Sequence, residues 1–163
     1  MDEAYARDDR PPKNGPSVQL LRVTSTELHT FVILSHTLVG YWTHWDGRRT
    51  TPCTKKSGEC PGCNSKHPDR WKGYLHVWHA EGNVEAFLEL TPAAAESVTT
   101  GCQDPADLRG ERIQVQRSRG GPKGRLSVRF LQKRTDPADL PAQRIPLETL
   151  HRLWTGGRGN GTL

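Results

Sequence analysis

The chain reads as a mainly β protein: a small barrel with a long, cysteine-bearing loop after its first barrel strand and one short helix. Three observations carry that reading. Short runs alternate apolar and polar residues with the period of two that a half-buried strand requires. The segment starting at Thr91 has the chemistry of a helix start, and three of the four cysteines crowd into Cys53–Cys63. Composition points the same way. Only 33% of the 163 residues are hydrophobic, while 16 are glycine and 12 proline, so the core is small and loops are plentiful. One domain is expected at this length, and a small core gains from a metal staple.

The elements follow in order. Residues 1–16 mix charges and close on Asn14-Gly15-Pro16, which predicts a disordered arm. Ser17–Val23 and His29–Leu34 are rich in strand-forming residues, and Leu38–Trp45 follows with Gly40 as a bend. The cysteine loop occupies about residues 46–72. Tyr74–His79 and Val84–Leu90 flank Glu81-Gly82-Asn83, a hairpin signal because Gly and Asn tolerate left-handed backbone. Thr91 can cap a helix, Pro92 suits its first position, and alanines follow. Glu111–Arg117 and Arg125–Leu131 then alternate around the turn Ser118–Gly124. Leu147–Trp154 predicts a last short helix, and the glycine-rich stretch 155–163 a disordered tail. The folded domain is therefore 17–154.

Strand, long loop, strand, hairpin, strand, helix, strand, hairpin, strand is the order of an OB-fold. Such barrels bind oligonucleotides across one face, using the loops after the first and fourth strands. Here those loops are the cysteine loop and Ser118–Gly124, and the two leading strands extend or cap the barrel.

The cysteines have metal-ligand spacing. In Cys60-Pro61-Gly62-Cys63 a Cys-x2-Cys turn aims both sulfurs at one centre, and Cys53 supplies a third. Cys102 lies thirty-nine residues beyond Cys63, so a histidine is the better fourth ligand. His44 would close the loop onto the preceding strand, whereas His67 would make a purely local knuckle; His44 is preferred. Four protein ligands make a structural site, because zinc catalysis needs an open position. A nucleobase deaminase would need His-x-Glu ahead of Pro-Cys-x-x-Cys. This chain has His44-Trp45-Asp46 instead, and no other catalytic motif is present, so a non-catalytic protein is expected.

Charge and aromatic content indicate the partner. The net charge is +5, and it is unevenly spread. Arg109–Arg134 holds nine Lys or Arg and one acid, while Glu81–Asp107 holds six acids and no Lys or Arg. Cations gathered on one hairpin suit a phosphate backbone. Candidate phosphate contacts are Arg48, Arg49, Lys55, Lys56 and Lys72 around the cysteine loop. Arg112, Arg117, Arg119, Lys123, Arg125 and Arg129 extend them on the later hairpin. Candidate stacking platforms are Trp42, Trp45 and Trp71, with Tyr74 and Trp78, which share one strand face with His76; that face is either the outer wall or the core.

With His44, Cys53, Cys60 and Cys63 in a His-x8-Cys-x6-Cys-x2-Cys array, the chain from about Leu38 to Leu131 resembles the zinc-containing, helix-destabilising single-stranded-DNA-binding proteins of T-even bacteriophages. The resemblance implies an OB-fold, those four residues as ligands of a structural zinc, and DNA in a basic, aromatic groove. The expected function is non-catalytic binding of single-stranded DNA with little sequence preference, in replication, recombination or mobile-element processing, alongside other proteins of those pathways. A zinc-stabilised protein-interaction adaptor and a single-stranded-RNA binder are the alternatives. The polar start, Met1–Pro16, and the absence of any apolar run near the ~20 residues of a membrane span predict a cytoplasmic, nucleoid-associated protein without membrane contact.

Overall fold

Asp69–His79, eleven residues, is the longest strand among the described residues, and the rest of the sheet assembles on it. The computed structural model describes residues 18–142 and 160–162. In chain order the strands are β1 (Gln19–Arg22), β2 (His29–Ile33), β3 (Val39–Trp45), β4 (Thr50–Pro52), β5 (Asp69–His79), β6 (Val84–Leu90), β7 (Arg112–Arg117), β8 (Leu126–Phe130) and β9 (Asn160–Thr162). The helices are α1 (Pro61–Asn64) and α2 (Pro92–Gly101).

One edge of β5 carries two partners in turn. Its first half pairs antiparallel with β3, from His44↔Asp69 to Val39↔Tyr74, and its end pairs with β2, Ile33↔Val77 to Phe31↔His79. The other edge carries β6 along seven residue pairs, Gly73↔Leu90 to His79↔Val84. The turn between β5 and β6 is the one read from Glu81-Gly82-Asn83, with Asn83 at φ +51°. Helix α2 starts where its chemistry indicates, the Thr91 hydroxyl accepting from the Ala94 N–H at 3.3 Å.

The expected barrel does not form. The strand path is β8-β7-β2-β5-β6-β1-β9, and among the described residues nothing pairs its two ends, so the sheet is open and mixed. The reason lies at β6. Its second edge is taken by β1 in parallel register, Gln19↔Ala86 to Leu21↔Leu88, and β9 adds in parallel outside β1. No edge of β6 is left for β8 to close against. The OB-fold expectation and the resemblance to the phage proteins are corrected accordingly, and any DNA-binding argument that rests on barrel loops goes with them. Residues 1–17, and the helix expected at Leu147–Trp154, lie outside the described residues. Within the expected tail, Asn160–Thr162 is strand β9.

Both faces of the central strands are covered. On one, Phe31, Ile33, Leu75, Val77, Leu88, Ile113 and Val115 meet Ala94, Ala95 and Val98 of α2. On the other, Val18, Leu20, Tyr74 and Phe87 form a smaller cluster against Val39 and Tyr41. That second cluster settles the face of Tyr74, His76 and Trp78. Tyr74 and His76 are buried, and the Tyr74 hydroxyl donates to Glu89 at 3.0 Å, so Tyr74 is core and no base can reach it. Gly40 is a strand residue rather than a bend. A Cβ there would lie 2.0 Å from the Trp71 ring, so glycine is what lets that indole lie across the backbone. Phe87→Ala, in the smaller cluster, is expected to cost about 3–5 kcal/mol of stability in a urea denaturation series.

Among the described residues no helix is long and apolar enough to cross a membrane.

Candidate metal centre and adjoining groove

The cysteine loop is more ordered than its composition implies. β4 turns back on β3 with Thr43↔Pro52 to Trp45↔Thr50, making a hairpin whose turn is held by Asp46. One carboxylate oxygen of Asp46 accepts from the backbone N–H of both Arg48 and Arg49 at 2.8 Å, and those bonds hold its pKa below the usual range. Cys53 follows β4 directly, its N–H donating to the Trp42 carbonyl at 2.8 Å. Cys60 and Cys63 sit on the single turn α1, entered through Pro61 at its first position. His44 comes from β3, and its side chain faces the knuckle.

These four residues converge. Their ligand atoms all lie within 4.8 Å of one another. The Cys53–Cys63 and Cys60–Cys53 sulfur separations are 3.7 and 3.9 Å, and His44 Nε2 stands 3.4 Å from Cys60 Sγ and 3.5 Å from Cys63 Sγ. A tetrahedral zinc with bonds of about 2.3 Å to sulfur and about 2.0–2.1 Å to nitrogen sets sulfurs about 3.8 Å apart and sulfur–nitrogen pairs about 3.6 Å apart. The cluster has the dimensions of that polyhedron. His44 is 1% exposed and Cys60 3%, so the site is closed on two sides by protein.

The surroundings fix the ligands. His44 Nδ1–H can donate to the His67 carbonyl at 3.0 Å, which sets the tautomer and leaves Nε2 free to ligate. A Cβ on Gly62 would lie 2.4 Å from the His44 ring, so the glycine of the knuckle makes room for the histidine. Backbone N–H groups of Cys63 and Thr54 hold the Cys60 thiol down at about 5. Burial, then hydrogen bonds from Cys53 and Cys60, push Cys63 up to about 11. Three thiolates this close repel one another, and a cation between them removes the conflict. The cluster can therefore chelate a metal ion.

His67 is thus beside the site through its main chain, not a ligand. His44→Ala is expected to weaken metal binding more than about a hundredfold, since even outer-shell changes cost 10–100-fold. His67→Ala leaves the carbonyl in place and is expected to change little. Competition with a chromogenic chelator ranks the two.

Behind the hairpin opens a groove of about 440 Å³, whose wall includes Arg22, Trp45, Arg70, Lys72, Glu89 and Arg117. Among the described residues, four cations face a single acid, Glu89, which is 3.1 Å from Arg22 and 3.7 Å from Lys72. The Arg22 guanidinium lies 5.7 Å from the Trp45 ring centroid and donates to the Thr50 hydroxyl at 2.7 Å. It thereby ties β1 to the β3–β4 hairpin that carries His44. Trp45 is 49% exposed.

Of the sequence candidates, Trp45, Lys72 and Arg117 line this groove. Arg117 also holds the fold together, donating to the carbonyls of Val23 and Gly124, both at 2.8 Å. Arg119, Lys123 and Arg125 are exposed on the turn that Arg117 anchors, and Arg129 is exposed on β8 and bonded to Gln114. Arg48 and Arg49 are in the β3–β4 turn, and Lys55 pairs with Asp69 at 3.2 Å beside exposed Lys56. The other candidates lie elsewhere. Trp42 is exposed on the opposite face of β3, and Trp71 and Trp78 are half-buried. Arg112 is half-buried too, with a buried Nε that has no hydrogen-bond partner among the described residues. Arg22 was outside the sequence candidates, because β1 has no place in the five-strand order from which they were drawn.

No protein-family model, curated protein or solved structure matches the chain.

Proposed function

We propose that the cluster holds one structural zinc ion and that the adjoining groove binds single-stranded nucleic acid, DNA in the first place, without catalysing a reaction on it. The observation that carries this is the groove itself: Arg22, Arg70, Lys72 and Arg117 around an exposed Trp45, on a hairpin pinned by the metal ligands. Cations spaced along a groove neutralise successive phosphates, and an indole between them stacks any base. Stacking of that kind discriminates little between bases, which favours binding with little sequence preference. Zinc is the ion whose tetrahedral geometry and taste for thiolate and imidazole agree with the donor set. With Cys53, Cys60, Cys63 and His44 all bound, no coordination position is open for a reacting water, so the ion's role is to hold the loop.

Fluorescence anisotropy with labelled single-stranded DNA, single-stranded RNA and duplex DNA tests the proposal. Single strands are expected to bind more tightly than duplex, whose bases are already stacked on one another. Equal binding of duplex and single strand would reduce the groove to a generally basic surface, and absence of binding to all three would dismiss it.

A further inference from the structure

A second group of metal-ligating side chains lies at the far end of β5. His79, the last residue of that strand, pairs with Phe31 of β2, and His29 is two residues before Phe31 on the same face. The two imidazole rings are 5.4 Å apart between centroids. Glu81, in the β5–β6 turn, reaches back to β2, where both its carboxylate oxygens accept from the Thr30 N–H at 2.9 and 3.0 Å. That clamp fixes the carboxylate beside the two imidazoles. The ligand atoms of His29, His79 and Glu81 all lie within 4.8 Å of one another.

Two further observations separate this group from ordinary surface polarity. His79 is 4% exposed, and among the described residues its buried Nε2 has no hydrogen-bond partner, standing 3.2 Å from a Glu81 oxygen but not aligned with it. A buried polar nitrogen left unpaired costs stability unless something else takes its lone pair. The site is also built closely: a Cβ on Gly82 would lie 2.5 Å from His79 Nδ1. The Ser25 hydroxyl, 3.2 Å from His29 Nε2, can orient the second ring.

We propose that His29, His79 and Glu81 form a second site for a divalent transition-metal ion, with two imidazoles and one carboxylate as ligands. Such a donor set suits zinc, cobalt, nickel or copper and not magnesium or calcium, which favour oxygen alone. Three protein ligands leave at least one coordination position for water or an outside ligand, unlike the closed cysteine cluster. The run from Asp69 to His79 puts the two sites about 30 Å apart along β5, so they load independently.

Cobalt(II) added to the full-length chain already holding one equivalent of zinc tests this. A second equivalent is expected to bind with a visible d–d spectrum and no new thiolate-to-metal charge-transfer band. His79→Asn and Glu81→Gln are each expected to weaken that event at least tenfold and to leave the first equivalent of zinc in place. Because His79 is buried, the surface variant Glu81→Gln decides the matter if His79→Asn unfolds. Binding that stops at one equivalent, a charge-transfer band on the second, or a Glu81→Gln variant that takes up cobalt as the wild type does would each overturn the proposal.

Discussion

Cys60→Ser is expected to strip the protein of stoichiometric zinc and to free the segment from Asp46 to Pro68 while the central strands persist. Structural zinc is bound by about 10–16 kcal/mol in small zinc-finger peptides, and that energy is local folding energy. Besides the metal ligands, the segment is ordered by the short β3–β4 pairing and by exposed hydrogen bonds rather than by core packing. Apart from Cys60 itself, the described side chains from Asp46 to Pro68 include a single buried one, Thr50. The main apolar core lies across β2, β5, β6 and β7 and contains none of the three ligand cysteines. Loss of the metal therefore unpins the hairpin and the α1 turn without touching Phe31, Leu75 or Leu88. Hydrogen exchange followed residue by residue reads the outcome: protection is lost from 46 to 68 and kept in β5 and β6. Chelation of the wild type is expected to give the same pattern, reversed on adding zinc. Cooperative loss of protection throughout the sheet would mean that the metal supports the whole fold.

Trp45→Ala is expected to weaken single-strand binding by ~1–3 kcal/mol, the worth of one stacked base, with little change in salt dependence. A stacked ring displaces no counterion. Arg70→Gln should do the opposite in kind: a modest loss of affinity together with a shallower salt dependence. The log–log slope is expected to fall by about 0.7 for each phosphate of a single strand that is no longer neutralised. Arg22→Gln is expected to combine both signatures, because that guanidinium both faces the groove and lies over Trp45. Trp42→Ala, on the far face of β3, serves as the control and should leave binding unchanged. The separation of slope from affinity is what distinguishes a stacking groove from a merely cationic surface.

Local chemistry was legible in the sequence, and long-range pairing was not. The metal ligands declare themselves because Cys60 and Cys63 need only one turn to converge, and His44 precedes Cys53 by the length of one hairpin. The Glu81-Gly82-Asn83 turn, the Thr91 cap and the strands about Ser118–Gly124 are likewise decided by neighbouring residues. Barrel closure depends instead on which strand occupies the free edge of β6. That edge goes to Gln19–Arg22, whose residues precede their partners by sixty-seven positions, through a parallel register that leaves no periodic trace. The same blindness hid Arg22 from the groove and His29 from His79, fifty positions apart in sequence. Tyr74 misled for a related reason. Alternation places it opposite Leu75, but only the packing of Val18 and Leu20 turns that second face into core.

Photocrosslinking of a single-stranded oligonucleotide carrying 5-bromodeoxyuridine, with the attachment site mapped by mass spectrometry, tests the central claim most directly, because the crosslink forms where a base stacks on an aromatic ring. Zinc-loaded protein is expected to crosslink at Trp45, and the yield is expected to fall when zinc is chelated. Crosslinks confined to Trp42 or Trp78, or a Trp45 crosslink indifferent to the metal, would contradict a binding groove held in shape by the cysteine cluster.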